Sequence, residues 1–167
     1  MSLYAILALM IIAAVAQTSV APAFTFLGAR PDFVLVVVVT WAVLRGVEEG
    51  IIWALVGGIA LDLLSGSPFG VFTVSLVIVG FLTSLGEMNV FRANALLPGF
   101  AIVVATIVYN VLILVILQLM GRPVTWNVEL IRLIAATVVL NLICLTLLYG
   151  PMRWLHRRTG REELPIG

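Results

Sequence analysis

The chain has no lysine, one cysteine and one histidine, and charged residues make up only 10% of its 167 positions. The lone Cys144 excludes an internal disulfide and a cysteine metal cluster, so its expected role is packing. His156 by itself makes no metal site, and no serine or cysteine nucleophile with an orienting acid stands near it in sequence. A formal net charge of +1 gives no case for binding nucleic acid. No internal repeat of the kind that marks many transporters is visible. Strict alternation of apolar and polar residues is absent too, which excludes the strands of a membrane barrel.

What is present is apolar sequence. At 63% hydrophobic residues and a mean hydropathy of +1.24, the chain cannot cover a water-soluble globule, whose apolar content is near half and charged content about a quarter. A bilayer core about 30 Å thick needs about 20 apolar residues per helix. The apolar runs fall into six blocks, near 3–26, 33–44, 51–64, 69–86, 95–120 and 130–150. The expectation is an all-α polytopic membrane protein, with a six-helix bundle over 1–150 and a basic cytoplasmic tail over 151–167. The run 33–44 is short, which raises a re-entrant hairpin over 33–64 as an alternative. That hairpin would bury Arg45, Glu48 and Glu49 at membrane depth, at about 2.5 to 3.5 kcal/mol each. Two short spans are therefore preferred, with Trp41 and Trp53 expected in an aromatic belt at the water interface. Ala14-Val15-Ala16 resembles a signal-peptide cleavage pattern, but Met-Ser-Leu-Tyr lacks the basic residues of such a leader, and an uncleaved first helix is expected.

Arginine alone sets the orientation. Six spans put both termini on one side, which collects Arg45, Arg92, Arg153, Arg157, Arg158 and Arg161, against Arg30, Arg122 and Arg132 on the other. By the positive-inside rule both termini are cytoplasmic, and Asp62, Gly66 and Pro68 point toward the outer face.

Asp62 is the only charged residue between Glu49 and Glu87. An intramembrane acid sits at a helix end, in a wet cavity or beside a partner. The following Ser65-Gly66-Ser67-Pro68-Phe69-Gly70 has the chemistry of a tight reversal, with glycine for positive φ, proline near the next helix start and serines able to cap. Asp62 then either bonds amides or hydroxyls of this turn or meets a partner or ligand. Ahead of it, Gly50, Ala54, Gly57 and Gly58 give the third helix a small-residue face that lets another backbone approach, from this chain or from a partner. Asn110 and Asn141, near the middles of the last two helices, are expected to bond each other directly or through Tyr109 or Thr137, or else to line a cavity. Such a bond contributes about 0.6 and at most about 1.7 kcal/mol. Gly150-Pro151 is expected to stop the sixth helix. The segment after it, with Arg153, Trp154, Arg157 and Arg158, reads as a lipid anchor, each arginine near an anionic leaflet adding about 1 kcal/mol.

Arg30-Pro31-Asp32-Phe33, Arg45-Gly46 and the stretch from Gly58 through Asp62 to Gly70 resemble the bacterial rod shape-determining protein MreD family. The resemblance implies a non-enzymatic component of the cell-elongation machinery in the cytoplasmic membrane. Its implied partner is MreC, and through it MreB, RodA and penicillin-binding protein 2, in support of peptidoglycan synthesis along the side wall. It implies no cofactor. MreD-like proteins are also similar in helix arrangement to the S components of energy-coupling factor transporters, so a small-molecule-binding subunit is the alternative, with Asp62, Asn110, Asn141 and Trp126 as its scattered candidates. A third class, an intramembrane aspartyl peptidase, would need Asp32 or Glu129 to share a proton with Asp62.

Overall fold

A computed structural model of the chain describes residues 3–85 and 97–159. Arg92 and Arg161, used above for orientation, lie outside the described residues, as do 160–167 of the expected tail. Among the described residues there are six α-helices and no strand: α1 (Leu3–Ser19), α2 (Phe33–Arg45), α3 (Val47–Leu64), α4 (Val71–Leu85), α5 (Leu97–Leu119) and α6 (Val128–Thr159). Two of them, over Pro98–Leu119 and Val128–Arg158, are long and apolar enough to cross a membrane by length and composition.

The short α2 is the centre of the bundle. It has 13 residues, about 20 Å of helix, and packs against each of the other five helices. Its run Val34 to Ala42 is buried without interruption, as expected of a helix that is apolar on all sides. Gly46 alone separates α2 from α3. Its φ of 87° is costly for any residue with a Cβ, and its amide closes α2 on the carbonyl of Ala42.

The small residues of α3 are spent on this chain's own helices. A Cβ on Gly50 would lie 2.9 Å from both Ala42 Cβ and Ser84 Oγ, and one on Gly57 would lie 2.7 Å from Val34 and 3.0 Å from the Met10 sulfur. At Gly58 an added Cβ would fall on the backbone of Thr73, while Ala54 faces Gly80 of α4. The face that the sequence left open to a neighbour from this chain or a partner is thus filled by α1, α2 and α4, and Gly58 packs inside the bundle.

Two further expectations are corrected. Trp41 and Trp53 form no interfacial belt: both are wholly buried, stacked with ring centroids 4.4 Å apart. Nor does Gly150-Pro151 end the last helix, which runs on to Thr159 with Pro151 inside it. Proline there removes a single amide donor, and helices in apolar surroundings tolerate it when neighbours support the freed carbonyl. The last span and the basic segment after it are consequently one continuous helix.

Gly58→Ala is expected to destabilise the protein by about 1–3 kcal/mol through overpacking, whereas Gly99→Ala, with open space around it, leaves stability unchanged or slightly raised. Reaction of the buried Cys144 with a thiol-reactive dye during a thermal ramp measures both.

Candidate functional site

The carboxylate of Asp62, near the end of α3, is saturated by the start of α4. Its Oδ2 accepts the amides of Gly70 at 2.9 Å and Thr73 at 3.1 Å together with the Thr73 hydroxyl, and its Oδ1 accepts the amide of Phe72 at 2.9 Å. The first amides of a helix have no partner within it and carry the positive end of its dipole, so an anion there is satisfied twice over. The turn is shaped to bring this about. Gly66 and Gly70 have φ of 67° and 100° with nothing within 4 Å of an added Cβ, so backbone conformation and not space demands glycine. Ser65 Oγ accepts the Ser67 amide at 3.3 Å, and the Val71 amide reaches Pro68 O at 3.4 Å. Of the two roles open to Asp62, anchoring the hairpin is the one its contacts fill.

Asn110 and Asn141 do not meet. Asn110 donates to the carbonyl of Thr106 in its own helix at 2.9 Å. Neither proposed bridge forms either, since Thr137 bonds Leu133 O and the buried Tyr109 hydroxyl has no partner among the described residues. Asn141 instead joins three elements: its Oδ1 accepts the backbone amide of Asp32 at 2.8 Å, and its Nδ2 donates to Thr106 Oγ1 at 3.0 Å. Gln17, near the end of α1, completes the network by donating to Asp32 Oδ1 at 3.3 Å and accepting the Val34 amide at 2.9 Å. The entry to α2 is therefore held by amide side chains from α1 and α6. Gln17 was legible as the only amide in an apolar run, by the rule already applied to the asparagines. Asp32 was noted in its Arg-Pro-Asp setting and as a possible second acid, but its backbone role gave no side-chain signal.

At the opposite end, Glu49 Oε2 accepts the Trp41 indole N–H at 2.8 Å and Glu49 Oε1 pairs with Arg45 at 3.6 Å. Arg45 lies 5.4 Å over the Trp41 ring and donates to the carbonyl of His156 at 3.3 Å, which ties α2 to the extension of α6. On either side of His156, Arg153, Trp154, Arg157 and Arg158 are exposed, with the Arg158 guanidinium 4.4 Å above the Trp154 ring. Trp126 is exposed on the other side and donates to Gln118 at 3.0 Å.

Chemically, these groups are structural. Asp62 is bonded to amides and a hydroxyl, Asp32 to Gln17, and Glu129 to Arg132 at 3.2 Å on the surface. No group of three or more histidine, cysteine, aspartate or glutamate side chains able to hold a metal occurs among the described residues. One pocket, of about 330 Å³, has both polar and apolar lining and lies where α1, α3 and α4 meet the α2 entry.

Fold and site together define an all-α bundle in which buried and half-buried polar side chains, Asp62, Asn141 and Gln17 among them, bond neighbouring helix starts. Within that class the chain belongs to the MreD family of rod shape-determining proteins, a family of membrane proteins, whose sequence model matches residues 1–159. No curated protein and no solved structure matches the chain.

Asp62→Asn turns a donor toward the α4 amides and is expected to destabilise the bundle by about 1–3 kcal/mol, with Thr73→Val less severe. In the same thiol assay Asn141→Leu lowers the midpoint while Asn110→Leu stays near wild type, because only Asn141 links separate elements.

Proposed function

We propose that the protein is a non-enzymatic scaffold of the rod-shape machinery in the cytoplasmic membrane. Six spans carry it, with both termini in the cytoplasm and the basic end of α6 at the inner surface. Its partner is MreC, and through MreC it supports MreB, RodA and penicillin-binding protein 2 in side-wall peptidoglycan synthesis. The observation that carries this reading is the family match over nearly the whole chain.

Because the α3 face is occupied, a partner helix has to dock elsewhere. Exposed large apolar residues remain on α5, at Phe100, Val104 and Ile107, and on α6, at Val139, Ile143 and Leu147. Between α4 and α5 runs a groove of about 180 Å³ floored by Ala101 and Ala105, small residues at the spacing that admits a neighbouring helix. The alternative, a small-molecule-binding subunit like the S components, is favoured by one observation, the polar pocket at the α2 entry.

A photoreactive amino acid placed at Phe100, Val104, Val139 or Leu147 in a rod-shaped host is expected to crosslink MreC from the outer faces of α5 or α6. The same probe at buried Ala54 is expected to give only crosslinks within the chain. Failure at every exposed position in cells that keep their rod shape would sink the scaffold reading.

A further inference from the structure

The polar pocket lies where α1, α3 and α4 end or begin, and its lining includes Gln17, Arg30, Asp32, Leu61, Ser65 and Phe72. Most of its polar atoms are already committed. Gln17 uses both ends of its amide, and Ser65 Oγ accepts the Ser67 amide. Two charged groups keep capacity. The Asp32 carboxylate accepts from Gln17 through Oδ1 and also meets the Asn141 side chain, which leaves room on a group with about four lone-pair sites, and the exposed Arg30 guanidinium has no hydrogen-bond or ion-pair partner among the described residues. They stand two residues apart across the buried Pro31, whose ring restricts the backbone between them. A cation and an anion with free valence beside one cavity complement a zwitterion, in which an anionic group meets the guanidinium and an ammonium meets the carboxylate.

The surface below the pocket indicates what carries that zwitterion. Ile52, Leu55, Ile59 and Leu63 are exposed on α3 at spacings of three and four, which places them in one row leading toward the pocket end of the helix. On α1, packed directly against α3, Ile11 and Val15 are exposed as well. Length brings headgroups to this level. The 18-residue α3 and 15-residue α4 are about 27 and 22 Å long, shorter than the roughly 30 Å hydrocarbon core, and a short apolar helix draws the bilayer surface down around itself.

We infer that this pocket seats the headgroup of a zwitterionic aminophospholipid, its phosphate on Arg30, its primary ammonium on Asp32 and its acyl chains along the α1–α3 row. The inference rests on the membrane-spanning reading above. Asp32 is what separates this headgroup from an anionic one, which would meet like charge, and the ammonium N–H groups separate it from choline, which has none to donate.

Native mass spectrometry of the full chain in detergent, with equimolar phosphatidylethanolamine, phosphatidylcholine and phosphatidylglycerol, tests it. Wild type is expected to retain phosphatidylethanolamine about tenfold over either other lipid, the factor that one charge-assisted hydrogen bond supplies. Asp32→Asn is expected to erase that preference and Arg30→Gln to weaken all three lipids, while Arg132→Gln, at an exposed surface pair, changes nothing. Equal retention of the three lipids by wild type overturns the inference, as does a preference that survives Asp32→Asn. Competition by free phosphoethanolamine as effective as the lipid overturns the lipid assignment. Topology tags on the same variants separate the outcomes: unchanged six-span topology with no headgroup preference defeats this inference alone.

Discussion

The constraint on which the rest of the structure depends is the close approach of α3 to its neighbours. Helices surrounded by lipid gain nothing from hiding apolar surface, since the tails are as apolar as leucine, and van der Waals contact has to hold them together. Gly50, Gly57 and Gly58 leave no room for a Cβ because Ala42, Val34 with Met10, and the Thr73 backbone fill that space. Backbone-level contact along α3 lets helices of only 13 to 18 residues form a stable body.

Hydrogen bonds then fix how that body is registered. Asp62 ties the end of α3 to the start of α4, and Asn141 with Gln17 clamps the entry to α2 between α6 and α1. Arg45 and Glu49 do the same for the far end of α2, reaching α6 through the His156 carbonyl and the stacked tryptophans through an indole N–H. The central helix is thus held at both ends by polar contacts and along its length by apolar ones. Such bonds are modest individually, about 0.6 kcal/mol on average in membrane bundles, but each would leave an unsatisfied buried group if the helices slid past one another.

Much of this was legible in the chain itself, for identifiable reasons. A single carboxylate ahead of a Gly/Pro turn has few ways to be satisfied, so anchoring of the α3–α4 hairpin by Asp62 was among the two roles expected. The six helices follow from apolar run length. What sequence could not supply was the relative height of the helices. Asn110 and Asn141 were matched as mid-helix residues of equal depth, but α6 has 32 residues against 23 in α5 and 13 in α2, so Asn141 meets the first amides of α2. The tryptophans were misplaced for a related reason: tryptophan near charged residues marks a water interface only when it faces outward, and Trp41 lies on a helix packed on all sides while Trp53 lies on the inner face of α3. Pro151 was given the force it has in water, where a helix end is easily solvated. Here Arg45 reaches across to the segment beyond it.

Because α2 touches all five other helices, its position in the chain bears on assembly. The strut at the middle of the bundle is synthesised ahead of the helix that supplies Asn141 and the His156 carbonyl. Until that helix follows, the side of α2 that α6 covers lacks its neighbour, and the amide of Asp32 lacks its partner. Closure around both ends of α2 therefore has to wait for α6, and translation order sets when these contacts can form.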